Sequence, residues 1–99
     1  MNTLKHVDHH MDNLISDLQK LIQQPSVSAK NEGIEECAKL VKSLLKSSGL
    51  KSEILRLKKG VAPIVFAEIK SKSNPDKTLM FYNHYDVQPA EPFDLWDDP

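Results

Sequence analysis

The sequence predicts an α/β domain with two N-terminal helices packed on a mixed sheet. Three observations predict it. Apolar residues recur at three- and four-residue steps through the first half of the chain. The second half falls into short runs rich in branched and aromatic residues. Turn signals at Lys58-Lys59-Gly60 and Asn74-Pro75-Asp76 separate those runs. The expected order is helix, helix, strand, strand, strand, loop, with no internal repeat or low-complexity segment.

Residues 3–24 read as one amphipathic helix. Val7, Met11, Leu14, Ile15, Leu18, Leu21 and Ile22 share a face, and Asp8, Asp12, Asp17 and Lys20 lie mostly off it. Pro25 cannot extend a helix and stops this one. The serine-rich stretch that follows, to Gly33, favours turns, and Ser28 or Asn31 is placed to cap the next element. Residues 32–48 form the second predicted helix, with Ile34, Cys37, Ala38, Val41, Leu44 and Leu45 on its buried stripe. Glu35 precedes Lys39 by four residues, the favourable orientation for a surface pair. Lys42 and Lys46 suit the negative end of the helix dipole, and Gly49 can close the helix in the left-handed conformation.

Residues 51–57 alternate as a half-buried strand, with Ile54 set against Glu53 and Arg56. Residues 62–69 make a stronger strand, with Pro63 restricted to its start or to a sheet edge because it cannot donate to the ladder. Residues 78–83 are expected to be the third strand. Leu79, Met80, Phe81 and Tyr82 run without a polar break, a pattern that predicts burial on both faces in the middle of a sheet.

Ninety-nine residues allow one small domain at most, and a hydrophobic fraction of 39% is enough for a globular core. The formal net charge of −1 leaves no electrostatic footprint for nucleic acid or an anionic membrane. No apolar run approaches a membrane span, and the N-terminus lacks the layout of a signal peptide. A single cysteine, Cys37, rules out an intrachain disulfide and fits a reducing, cytoplasmic setting. Because a central strand needs cover on both faces, which two helices and three strands do not supply, residues 1–99 are expected to be the N-terminal portion of a larger domain.

The chemistry concentrates after the third predicted strand, at His84-Tyr85-Asp86. Reactive side chains just past the carboxyl end of a buried strand are how α/β enzymes build sites. Neutral imidazole is a zinc ligand, and a ligand histidine gives its other ring N–H to a carboxylate or carbonyl that fixes its tautomer. Asp86, two residues on, can serve that role if the backbone turns. Spacing alone leaves a second reading open, a loop histidine with ordinary hydrogen bonds.

The segment Tyr82-Asn83-His84-Tyr85-Asp86-Val87-Gln88-Pro89, followed by Leu95-Trp96, resembles the metal-site strand of the dinuclear zinc metallopeptidases. That family includes aminoacylase, succinyl-diaminopimelate desuccinylase, bacterial dipeptidases and carnosinase. The run Asp86-Val87-Gln88-Pro89 is most similar to the dipeptidase and carnosinase branch. Leu21-Ile22-Gln23-Gln24-Pro25-Ser26-Val27-Ser28 is similar to the end of that family's N-terminal helix, and Gly33-Ile34 and the second helix fall where the resemblance places them. The resemblance spans nearly the whole chain, with its specific motif confined to residues 81–96. It implies that His84 ligates one of two zinc ions and that Asp86 is the carboxylate orienting His84, with manganese or cobalt as alternative metals. It further implies a glutamate general base and most metal ligands beyond residue 99, a dipeptide or N-acyl amino acid substrate, and a homodimer as one assembly open to the whole enzyme. The family has glycine immediately before the ligand histidine, where this chain has Asn83, a residue that tolerates left-handed backbone better than most.

The expected function is therefore a zinc-dependent dipeptidase-like hydrolase of which this chain is the N-terminal piece, inactive by itself. Two alternatives remain: an N-acyl amino acid deacylase of the same family, and a non-catalytic α/β interaction module. His6, His9 and His10 form a second histidine cluster, but no strand precedes it and a solvated helix face accounts for it. Cys37 reads as a small core residue, and the three scattered glycines make no phosphate loop.

Overall fold

A computed structural model describes residues 2–98. Three helices and a two-stranded antiparallel sheet make up a small α/β structure: α1 Thr3–His9, α2 Met11–Gln23, α3 Ile34–Ser47, β1 Lys51–Leu55 and β2 Ile64–Glu68. Short 3₁₀ turns lie at Ser28–Lys30 and Phe93–Leu95.

The first predicted helix is two helices. His10 leaves helical geometry at φ −110°, ψ 12°. Its N–H is shared between the His6 and Val7 carbonyls at 3.1 and 3.2 Å, and its ring Nδ1 lies 2.8 Å from the His6 carbonyl oxygen. Periodicity continues across this break, so the apolar stripe could not reveal it. The proline stop holds: α2 ends at Gln23, and Gln24 takes the extended backbone that a following proline demands.

α3 is the core element. Ile34, Cys37 and Ala38, on its first two turns, are buried, as is Pro63 outside the helix. Neither Ser28 nor Asn31 caps it. Gly33 does, in left-handed backbone without a side-chain bond. Asn31 is itself left-handed and closes the preceding 3₁₀ turn. At the other end Gly49 donates to Lys46 and Leu50 donates to Leu45, each at 3.0 Å, the paired bonds of a Schellman close. The anticipated Glu35–Lys39 pair gives way to a bidentate bond from Arg56, at 2.6 and 2.8 Å, which ties α3 to the end of β1. Arginine's planar fork matches both carboxylate oxygens, which a lysine ammonium cannot do.

β1 and β2 pair in the register Ile54↔Val65 and Ser52↔Ala67. Those residues form the half-buried face, against which α3 packs. The opposite face carries Leu55, Ile64 and Phe66 and stays exposed. Pro63 sits just before β2, as its missing N–H requires.

The third strand does not form, and the sheet is antiparallel rather than mixed. Residues 78–83 carry no ladder, and Leu79, Met80, Phe81 and Tyr82 are 79, 82, 79 and 80% exposed. An apolar run buries itself only against a neighbouring strand and a covering layer, and the described residues place neither beside it.

Candidate functional site

The site begins with the loop that leaves α2. Val27 and Glu32 exchange backbone bonds, at 2.8 and 3.1 Å, closing a small hairpin around the 3₁₀ turn. Gly33 completes it at φ 71°; a Cβ there would stand 1.9 Å from the Pro25 carbonyl oxygen. Glycine is the residue that fits both the dihedral and the space.

The segment carrying His84 docks on this loop. Val87 donates to the Ser26 carbonyl at 2.8 Å, and Val27 and Val87 form a parallel bridge. Tyr85 pins the segment from the other side. Its hydroxyl donates to the Pro63 carbonyl at 2.5 Å, and its own carbonyl accepts from Cys37 Sγ at 3.6 Å. Burial pushes the Tyr85 hydroxyl pKa above its ordinary value. Tyr85 thus joins β2 and α3 to the loop, which explains how an otherwise unpaired stretch holds a defined position. A second tie, an ion pair between Lys30 and Glu91, lies farther along the same two segments.

With Tyr85 turned inward, its neighbours His84 and Asp86 meet on the outside. His84 Nδ1 lies 3.1 Å from Asp86 Oδ1, and Ser28 Oγ donates to Asp86 Oδ2 at 2.7 Å. The Ser28 bond first, and the His84 ring second, hold the Asp86 carboxyl below the usual carboxylate range. An ionised carboxylate only accepts, so the proton in the His84–Asp86 bond sits on Nδ1. In the neutral ring Nε2 then carries the lone pair, on a side chain 72% exposed to solvent. Tyr82 meets the His84 ring edge-on, with centroids 5.6 Å apart. Asn83 is not left-handed, since Asn31 is the one non-glycine residue with positive φ among those described. The turn therefore does not draw on asparagine's tolerance of that region.

The geometry brings together both residues singled out in the sequence, His84 and Asp86, and adds Ser28. As donors they fit one metal ligand and its orienting carboxylate. They do not make a full metal centre: among the described residues no group of three or more His, Cys, Asp or Glu could hold an ion, whereas catalytic zinc takes three protein ligands. The N-terminal histidines do not change this. His6 and His10 stack with centroids 4.2 Å apart, and a His10 nitrogen is engaged by the His6 carbonyl. The surface hollow between the start of α3 and the hairpin turn is lined by Glu35, Arg56 and residues 58–63, and takes in neither His84 nor Asp86.

Compared with protein-family models, curated proteins and solved structures, the chain matches none. No helix among the described residues is long and apolar enough to cross a membrane.

Proposed function

We propose that this chain supplies one wall of the active site of a zinc-dependent hydrolase that cleaves dipeptides or short peptides, with His84 as a metal ligand. The observation that carries the reading is the oriented imidazole: Nδ1 bound to Asp86 and Nε2 open to solvent. A ligand histidine needs that polarity, and a carboxylate behind it raises its basicity. The likeness of residues 81–96 to the metal-site strand of the dinuclear zinc peptidases supports the same reading. In such a site bound zinc acidifies a water and polarises a carbonyl.

The chain's own share is narrower. His84 donates Nε2 to the metal, Asp86 fixes the tautomer, and Tyr85 anchors the segment through Pro63 and Cys37. The remaining ligands and the base belong, on this proposal, to elements outside the 99 residues. Those elements would also cover the bare face of β2 and pair with residues 78–83, completing a mixed sheet. A cytoplasmic location is part of the proposal, resting on the lone free cysteine. An N-acyl amino acid substrate would use the same wall.

Zinc binding tests the reading. Zinc is titrated into the protein together with the elements that supply the remaining ligands, and followed at the His84 ring nitrogens by NMR. The wild-type ring is expected to show a saturable shift at Nε2, while zinc uptake by His84→Ala falls by the share of that one site. A His84 ring that ignores zinc overturns the proposal. The 99-residue chain is expected to show no peptidase activity; zinc-dependent dipeptide hydrolysis abolished by His84→Ala would show that it holds a complete site.

The exposed apolar run Leu79–Tyr82 favours a second reading, a non-catalytic interaction module. It predicts that His84→Ala leaves zinc uptake unchanged.

A further inference from the structure

We propose that Ser28 is a positioning residue for His84, acting through Asp86. The proposal rests on the ligand reading of His84 given above and extends it to Ser28, 58 positions before Asp86. A carboxylate held through one oxygen is loosely fixed, because the terminal torsion of aspartate is broad and roughly two-fold. Asp86 is held through both. Oδ1 faces His84 Nδ1 at 3.1 Å and Oδ2 accepts from Ser28 Oγ at 2.7 Å. With Oδ2 occupied, the plane of the carboxylate is set and Oδ1 is aimed at the ring.

The loop presenting Ser28 is tied down on every side. The Val27–Glu32 bonds close it, and the bond from Val87 N–H to the Ser26 carbonyl docks it on the histidine segment. The Lys30–Glu91 ion pair ties its far end. Ser28 itself starts the 3₁₀ turn, with its carbonyl taken by Asn31 at 3.1 Å. The Val27–Val87 bridge sets the neighbours of each, Ser28 and Asp86, within bonding reach. The hydroxyl therefore comes from a fixed backbone, as a group that holds a tautomer must. A staple alone would need no particular acceptor; this one acts on the oxygen pair that orients the imidazole.

The test reads the tautomer directly. Long-range proton–nitrogen correlations on ¹⁵N-labelled chain, recorded at a pH where the ring's own nitrogen shifts show it to be neutral, report which ring nitrogen carries the proton. Wild type is expected to show Nδ1–H. Ser28→Ala should shift population to Nε2–H, and Ser28→Thr, which keeps the hydroxyl, should restore the wild-type pattern. The backbone amide spectrum, unchanged outside the loop, shows that each variant is folded. Zinc affinity, read at the His84 ring with the remaining ligands present, should weaken about tenfold in Ser28→Ala, the lower end of what losing an outer partner costs a metal site. An unchanged tautomer in Ser28→Ala overturns the proposal. So does a changed tautomer with unchanged zinc affinity at a ring that does bind zinc. If the wild-type ring ignores zinc, the ligand reading fails, and the tautomer still decides whether Ser28 positions His84.

Discussion

His84 takes its chemical character from two residues beside it and one far away. Tyr85 turns inward, which leaves His84 and Asp86 on the same side; Ser28 arrives from the other end of the fold to hold the second carboxylate oxygen. Gly33 makes that arrival feasible, since its left-handed backbone lets the loop fold back against Pro25. Gly33→Ala meets two costs. Left-handed backbone costs a non-glycine residue about 1–2 kcal/mol, and the added Cβ collides with the Pro25 carbonyl, so the loop must also shift. The expected outcome in thermal unfolding is a destabilisation of at least about 2 kcal/mol. Loss of the Ser28–Asp86 bond should accompany it, seen as a changed His84 tautomer. A Gly33→Ala chain with wild-type melting would show that the close approach is not maintained in solution.

At the scale of elements, α3 organises the molecule. Its first two turns bury Ile34, Cys37 and Ala38, its cysteine reaches the histidine segment, and Glu35 on its first turn clamps Arg56 at the end of β1. The hydrogen bonds from Arg56, followed by its charge and that of Lys39, hold the Glu35 carboxyl below its ordinary value against a partial desolvation. A carboxyl whose folded pKa is depressed adds stability that is complete above the unfolded value and is lost as pH falls through the folded one. Arg56→Gln should therefore lower the melting temperature at neutral pH, and the difference should shrink as pH falls through the depressed Glu35 value and the carboxyl becomes protonated. Because the pair is exposed, about 1 M salt should shrink the neutral-pH difference as well. Equal effects of the substitution at neutral and acidic pH would mean that Arg56 acts through packing of its stem.

At the scale of the whole molecule, little apolar surface is buried. The accessible surface is 9031 Å², where a compact chain of this size exposes about 5,700 Å². The radius of gyration is 16.4 Å, against about 13 Å for a compact 100-residue domain. The excess lies in the open face of β2, the outer side of α2 and the run from Leu79 to Tyr82. Among the described residues, no backbone bond holds 78–83. Amide exchange should therefore be near the unprotected rate across 78–83 and slow through Ile34–Ser47. Protection in 78–83 at low protein concentration would mean that this run finds a strand partner within the chain.

The residues explain which parts of this were legible in advance. The Pro25 stop, the inward face of α3, the Gly49 close and the existence of two short strands all follow from local pattern. Periodicity, a missing N–H and a left-handed glycine act over a few residues. The break at His10 was hidden because the apolar period runs through it unchanged. Glu35 found Arg56 rather than Lys39 because the turn after β1 brings a better-matched partner from 21 residues away. Residues 78–83 form no strand, since four apolar residues in a row state a need for burial and not a means of meeting it.

The sequence by itself determined that the first half is helical, where two of the strands lie and which residues of α3 face the core, and it singled out His84 and Asp86 as candidates two residues apart. Only the tertiary structure decided that Tyr85 turns inward, that Ser28 completes the carboxylate, and that residues 78–83 stay uncovered. The reason is one of range. Contacts across 58 residues, or the absence of a partner strand, depend on where the whole chain places its loops, and no local pattern of residues encodes that placement.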